Sequence, residues 1–304
     1  MRHQIHYCFT FKIIAIMLYQ ELVEQIFAKR SFLCVGLDPD YEKIPLCLKA
    51  NNPKVPTADL ITHFICDIID ATDQYAVAYK PNLAFFERYG AAGLKALELI
   101  VKYIRDEYPE IFIIADAKRG DIGNTASQYA KAVFEHLKAD AVTLNPYMGF
   151  DSVAPFLTFK DSYEPEKHFW SVILALTSNQ GSFDFQMIKD KHGIPLYQHV
   201  LTTTSGWEES SFENTMYVVG ATRAEMLTEI RKIVPRHFLL VPGVGAQGGS
   251  LEEVAKYGMT PDCGLLVNSS RGILYASHND GYAHAASEAA HKLQQKMNDL
   301  LPRR

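Results

Sequence analysis

Short apolar runs alternate with longer amphipathic segments along most of the chain. In two of the longer segments, residues 93–109 and 125–139, leucine, alanine and aromatic residues recur at intervals of three and four, which predicts surface helices. The short runs are apolar throughout, as is typical of parallel strands that are covered by helices on both faces. The chain contains eight such runs: "FLCVGLD" from position 32, "VAYK" from 77, "IFIIAD" from 111, "DAVTLN" from 140, "WSVILALT" from 170, "MYVVGA" from 216, "FLLVPG" from 238 and "GLLVNS" from 264.

These eight strand–helix units favour the α/β class and, within it, a (β/α)8 or TIM barrel. Two doubly wound domains are the alternative, but no stretch rich in proline, glycine or serine divides the chain. Residues 17–304 are therefore predicted to form a single domain. In a barrel of this kind the functional side chains follow the carboxyl ends of the strands.

Residues 1–16 are predicted to be an extension outside that domain. They combine a basic start with an apolar run, as a signal peptide does, but Lys12 interrupts the run and no small-residue cleavage site follows. From Met17 onward the apolar residues have helical spacing, which predicts the first helix of the domain. No segment of the sequence is long and apolar enough to span a bilayer.

Composition and charge narrow the class of protein. The 304 residues are 48% hydrophobic, so the chain can bury a large core. The formal net charge of −5, with both signs interspersed, argues against a nucleic acid or a membrane surface as the partner. The five cysteines are scattered and form no C-x-x-C pair, which is typical of a reduced cytoplasmic protein without a disulfide frame or a zinc site.

The most unusual stretch is "IFIIADAKRGDIGNT", residues 111–125, where charged residues crowd the end of an apolar strand. Asp116 and Lys118, two positions apart at a strand end, are expected to face the same cavity. Lys118 also precedes Asp121, so its ammonium should stay charged, which favours a cationic acid over a Schiff-base lysine. Asp121 and Thr125 would share one face at the start of the next helix. An ion-pair cluster that only closes the strand end is the structural alternative.

Two further charged residues are predicted at the same mouth. Asp38 follows the first apolar run and Lys80 ends the second. A single lysine at a strand end more commonly extends to water, and that alternative stays open for Lys80. Asp38 and Asp116 would offer carboxylates to a divalent metal, but Lys118 would repel the ion, so no metal site is predicted.

The stretch "GVGAQG", residues 243–248, matches a dinucleotide-binding pattern but follows a late strand, and no acidic residue ends the next strand. Barrels commonly bind phosphate in the loops after strands seven and eight. There Gly248 would supply a backbone N–H group, Gln247 a side-chain amide, and Arg271 a bidentate guanidinium. A tight turn beside a surface arginine is the alternative.

Taken in order, these motifs resemble the orotidine 5′-phosphate decarboxylase family, in the type 2 form whose signature reads "DAKRGDIGNT". The resemblance covers nearly all of residues 31–275 and also includes "AYKPNLAFFE", "LNPYMGFDS" and "LTSNQGS". It implies a lyase without a cofactor that converts orotidine 5′-phosphate to UMP and CO2, the last step of de novo pyrimidine synthesis. It further implies a homodimer with shared active sites.

The resemblance assigns the reacting end of the site. Lys118 would stabilise and protonate the C6 carbanion, and Asp116 would lie against the substrate carboxylate. Asp38 and Lys80 would meet the ribose hydroxyl groups, with Lys80 also bonded to the charged array.

The resemblance also assigns the rest of the site. Asp121 and Thr125 would reach across a dimer interface into the neighbouring site. Gln247 and Arg271 would hold the 5′-phosphate. Ser178 would contact the edge of the pyrimidine, although the loop around it differs in length from the pattern of the family.

Two other functions compete with this one. A magnesium-dependent decarboxylase of keto-acid sugar phosphates would use a similar D-x-K-x-x-D arrangement and would be sensitive to chelators. A nucleotide-binding protein without catalysis would retain Gln247 and Arg271 but would not need Lys118.

Overall fold

A closed barrel of eight parallel strands forms the centre of the molecule. The computed structural model describes residues 17–51, 55–160, 169–244 and 248–303. Each strand pairs with the next along the chain, so the predicted barrel is confirmed. The strands are β1 Leu33–Leu37, β2 Ala76–Pro81, β3 Phe112–Arg119, β4 Ala141–Leu144, β5 Trp170–Leu176, β6 Thr215–Val219, β7 Phe238–Pro242 and β8 Leu265–Ser269.

Helices cover the outside of the barrel, and none in the described part of the chain is long and apolar enough to cross a membrane. The first predicted surface helix is confirmed as α5, and the second as α6, which continues into a π-helical turn at Ala132–His136. The α-helices are α1 Tyr19–Lys29, α2 Leu46–Asn51, α3 Thr57–Thr72, α4 Ala84–Glu87, α5 Gly90–Glu107, α6 Gly123–Lys131, α7 Phe150–Leu157, α8 Ser182–Phe185, α9 Leu196–Ser205, α10 Leu227–Ile233, α11 Leu251–Gly258, α12 Arg271–Leu274 and α13 Tyr282–Leu300.

A buried polar cluster closes the amino end of the barrel. Arg105 and Asp140 form an ion pair of 2.7 Å, and the same carboxylate accepts a hydrogen bond from the backbone N–H of Ile113 at 2.7 Å. The backbone N–H of Met17 donates to Asp140 at 3.4 Å, and the indole of Trp170 donates to the carbonyl of Met17 at 2.9 Å. The segment that leads into α1 is therefore tied to the base of the barrel, while the predicted extension, residues 1–16, lies outside the described residues.

The parallel pairing of β1 with β8 closes the barrel and brings the first and last strands together. Gly36 approaches Ser270 so closely that an added Cβ atom would lie 1.8 Å from the hydroxyl oxygen of Ser270. Beyond β8, the hydroxyl of Tyr275 accepts a hydrogen bond from the backbone N–H of Asp40 at 2.7 Å and donates to the carbonyl of Asp38 at 3.0 Å. The loop after β1 is thus held by the segment that follows β8.

We expect deletion of residues 1–16 to leave the melting temperature nearly unchanged, because α1 and its ties to the barrel remain. Deletion of residues 1–29 should instead unfold the protein. It removes Leu22, Val23 and Ile26, which are fully buried and contribute roughly 1.5–3 kcal/mol each. Thermal unfolding followed by circular dichroism tests both deletions, and a large loss of stability in the shorter one would show that the extension belongs to the fold.

Candidate active site

The charged residues at the mouth of the barrel form a compact Lys–Asp–Lys array. Asp116 lies between Lys80 and Lys118, with Nζ to carboxylate distances of 2.7 Å and 2.6 Å. Lys80 and Asp116 are buried, whereas about half of the Lys118 side chain (52%) is exposed. The structure therefore brings together three of the predicted site residues at the carboxyl ends of β2 and β3.

The pKa shifts indicate that Asp116 and Lys80 are both charged. Burial alone would raise the pKa of Asp116, but the two neighbouring ammonium groups lower it to about 2. Burial lowers the pKa of Lys80, but the carboxylates of Asp116 and Asp38 outweigh burial and leave that pKa above its ordinary value. The fourth predicted residue, Asp38, therefore acts on the same charges from the end of β1.

The carboxylate of Asp38 has unused hydrogen-bonding capacity. Its Oδ1 atom is buried and has no hydrogen-bond partner among the residues that the structure describes. Buried carboxylate oxygens are normally satisfied by donors, so this atom fits a hydroxyl or amide group of a bound ligand.

Lys118 occupies a strained backbone position. Its φ of 47° lies in the left-handed region, and adopting this conformation costs a non-glycine residue about 1–2 kcal/mol. The pairing of β3 with β4 shifts register between Ala115 and Arg119, so the strand bulges at this point. The backbone N–H of Lys118 donates to the hydroxyl of Thr143 at 2.9 Å, and that hydroxyl donates to Asp116 at 3.0 Å. Thr143 thus fixes both residues.

Asp121 and Thr125 do not share the first turn of a helix, so that part of the sequence interpretation is wrong. The helix α6 begins at Gly123, whose φ of 56° is left-handed, and Asp121 lies ahead of it in the loop. The carboxylate of Asp121 accepts a hydrogen bond from the backbone N–H of Ile122 at 2.8 Å. Within the described residues its carboxylate forms no hydrogen bond with Thr125, which is exposed, and no ion pair with Lys118, whose ammonium bonds to Asp116.

The loops after β7 and β8 lie at the same end of the barrel as the charged array. Gly248 has a φ of 88°, a backbone conformation that glycine adopts readily, and it is exposed. Arg271 begins α12, is also exposed, and forms no ion pair with any described residue. Gln247 lies outside the described residues, so its predicted position is not tested.

Ser178 follows β5 by two residues and is half-buried. The preceding Thr177 is anchored by Gln186, whose side-chain oxygen accepts from the backbone N–H of Thr177 at 2.8 Å. The Gln186 amide also donates to the Thr177 hydroxyl at 2.9 Å. Sequence reasoning missed Gln186 because no motif marks it, whereas Thr143 could have been found as a polar residue inside an apolar strand.

The fold and these residues define a class of protein. It is a (β/α)8 barrel with a fixed ammonium group at its mouth, a glycine-rich turn after the seventh strand and an arginine after the eighth. A profile of the orotidine 5′-phosphate decarboxylase / HUMPS family matches residues 31–286, and the chain belongs to that family. It is 55% identical over 282 residues to "Orotidine 5′-phosphate decarboxylase" of Parabacteroides distasonis, covering 93% of this chain and 95% of the relative.

Two further comparisons agree. The protein of the same name from Flavobacterium johnsoniae is 56% identical over 282 residues, which cover 93% of this chain and 97% of the relative. The solved structure of Leishmania donovani OMP decarboxylase superposes with a TM-score of 0.76 at 35% identity, covering 93% of this chain and 99% of that one.

Proposed function

We propose that the protein converts orotidine 5′-phosphate to UMP and CO2, the last step of de novo pyrimidine synthesis, in the cytoplasm and without a cofactor. We assign it to the type 2 form on the "DAKRGDIGNT" stretch. The observation that carries the proposal is the Lys118 ammonium, held 2.6 Å from the carboxylate of Asp116 on a backbone fixed by Thr143. The names of the relatives supply the substrate.

The chemistry requires a cation at this point. Loss of CO2 from C6 leaves a carbanion in the plane of the ring, where the π system cannot delocalise it. An ammonium ~4 Å away in an effective dielectric of about 20 stabilises such a charge by about 4 kcal/mol. Lys118 would supply that charge and then donate its proton to C6.

A single ammonium is not sufficient, because enzymes commonly lower barriers by ~8–23 kcal/mol. The remainder would come from the preorganised charges of Lys80 and Asp116 and from binding energy at the phosphate and ribose. Asp116, which stays ionised, would lie against the substrate carboxylate, and their repulsion would be relieved as CO2 departs.

Three parts of the barrel mouth would bind the ribose, the phosphate and the pyrimidine of the substrate. Asp38, with its unpartnered oxygen, and Lys80 would bind the ribose hydroxyls. Gly248, Gln247 and Arg271 would bind the 5′-phosphate, and Ser178 would contact the pyrimidine. The phosphate end would thus contribute to catalysis through the loops that it orders.

We further propose a homodimer in which Asp121 and Thr125 serve the neighbouring site. The loops after β3 and β4 lie together, because the backbone N–H of Asn145 donates to the carbonyl of Arg119 at 2.7 Å. They expose Ile122 and Tyr147, of which Tyr147 is 86% exposed. Exposed apolar side chains beside a charged loop favour a two-fold interface at this end of the barrel.

The test is to follow the loss of orotidine 5′-phosphate absorbance with purified protein, with and without EDTA. We expect equal rates in both. Loss of activity in EDTA would favour the magnesium-dependent decarboxylation of keto-acid sugar phosphates. Tight binding of UMP without turnover would favour a nucleotide-binding protein.

Replacing Arg271 by alanine should weaken the binding of UMP by about 10- to 100-fold, since hydrogen bonds to charged groups contribute roughly 1.5–3 kcal/mol. The affinity for uridine should hardly change, because uridine lacks the phosphate. Isothermal titration with both ligands measures the difference. Arg303→Ala, which removes an exposed arginine beyond α13, is the matched control. Equal losses for UMP and uridine would mean that Arg271 has a structural role.

A further inference from the structure

The loop after β6 is packed between the loops after β5 and β7. An added Cβ atom on Gly220 would lie 2.6 Å from the backbone nitrogen of Ser178. An added Cβ atom on Gly249 would lie 2.5 Å from the Cβ of Ala221. Both distances are shorter than real side chains allow. The three loops therefore touch through backbone and small side chains, with residues 220–221 in the middle.

One side chain of this middle loop holds the loop after β5. The guanidinium of Arg223 donates from Nη2 to the hydroxyl of Ser182 at 2.9 Å and lies over the ring of Phe183, 4.5 Å from its centroid. Ser182 and Phe183 begin α8, four and five residues beyond Ser178. Arg223 therefore contacts the same loop that contains Ser178.

The contact is not explained by core packing. Phe183 is 60% exposed, so the core of the barrel does not hold it in place. Among the residues that the structure describes, Nη1 of Arg223 is buried without a hydrogen-bond partner, and no carboxylate lies within ion-pair distance of this guanidinium. Burying a charged donor without a partner lowers stability. An apolar side chain at this position would avoid that cost. The hydrogen bond from Arg223 to Ser182 therefore indicates a functional role.

We infer that Arg223 is a positioning residue that holds the loop after β5 in place, so that Ser178 is already oriented for the pyrimidine when the substrate binds. The inference rests on the proposed function and adds a residue to it. Arg223 acts through Ser182 and Phe183 and does not itself contact the substrate. The Arg223 side chain contacts the loop after β5, whereas the residues proposed for ribose and phosphate lie on other loops. Loss of this contact should therefore affect the pyrimidine end of the site most.

The test compares two ligands that share the ribose phosphate. UMP contains the pyrimidine, whereas ribose 5-phosphate lacks it. Arg223→Met should raise the Kd of UMP about tenfold and change the Kd of ribose 5-phosphate by less than about twofold, as expected when one polar contact that orients the base is lost. The kcat/KM for orotidine 5′-phosphate should fall by a similar factor, and Arg223→Lys should restore part of it.

A second variant probes the same contact from the other side. Ser182→Ala should shift the two affinities in the same directions as Arg223→Met. The double variant should lose no more than the larger single loss, because the two residues act as a pair. Additive losses would overturn the inference, and Ser182→Ala keeps the test decisive if Arg223→Met fails to fold.

The matched control is Arg236→Met. Arg236 also stacks on a phenylalanine, 3.5 Å from the ring centroid of Phe212, but it precedes β7 at the opposite end of the barrel. This change should move neither affinity. Equal losses for both ligands in Arg223→Met, or no loss for either, would overturn the inference alone. A wild-type protein that binds no UMP would refute the proposed function and this inference with it.

Discussion

Replacing Lys118 by alanine is expected to lower the kcat for orotidine 5′-phosphate by roughly 10⁴-fold or more. The change removes both the cation next to the carbanion and the proton that quenches it, and these effects are commonly worth about 10²–10³ and about 10²–10⁴ respectively. Single-turnover measurements with excess protein separate this chemical step from binding. Binding of UMP should remain measurable, because ribose and phosphate contacts are retained.

The fold should tolerate this change. Half of the Lys118 side chain is exposed, and Asp116 keeps its ion pair with Lys80 at 2.7 Å. Thermal unfolding of Lys118→Ala should therefore resemble that of Lys95→Ala, a control that removes an exposed lysine from α5. Activity within about tenfold of the wild type would contradict the assignment, because general acid catalysis alone contributes more than that.

A mixture of Lys118→Ala and Asp121→Ala chains is expected to recover activity that neither variant has alone. If Asp121 serves the partner's site, a hybrid dimer contains one site with both residues intact and one with both defects. Random exchange makes about half of the dimers hybrids, so activity should approach about a quarter of the wild-type value per chain. The measurement is the decarboxylation rate after the two purified variants have been incubated together.

Exchange itself must be shown by mass measurement of differently tagged chains. A mixture of Lys118→Ala with Lys118→Ala carrying the second tag is the control, and it should recover nothing. Confirmed hybrids without recovered activity would place Asp121 in the site of its own chain. That result would refute the shared site but leave the decarboxylation chemistry in place.

The barrel could be predicted because its strands have an unusually clear signature. Strands covered on both faces must be apolar at every position, and β1, β2, β4 and β6 are indeed buried throughout. The array could be predicted for the opposite reason. Lys80, Asp116 and Lys118 interrupt that apolar pattern at strand ends, where charges have no value for packing.

Other features depend on tertiary contacts that the sequence does not mark. The left-handed backbone of Lys118 contradicts the preference of a lysine, and it is maintained by the hydroxyl of Thr143 on the neighbouring strand. The placement of Asp121 at the start of α6 is wrong because the left-handed Gly123 begins the helix and leaves Asp121 in the loop. Arg223 lies in no recognisable motif, and its hydrogen bond to Ser182 joins residues that are 41 positions apart in the sequence.

The contact between the loop after β1 and the segment after β8 determines when the mouth of the barrel can close during biosynthesis. A ribosome exposes Asp38 and Lys118 early, but the hydroxyl of Tyr275, which anchors the Asp38 carbonyl, comes 237 positions after it. Contacts of such long range cannot form in a vectorially made chain until its last part has emerged. Nascent and prematurely terminated chains therefore contain the reactive charges without a closed pocket around them. Chains that stop before Tyr275 therefore lack the anchor of the loop that contains Asp38.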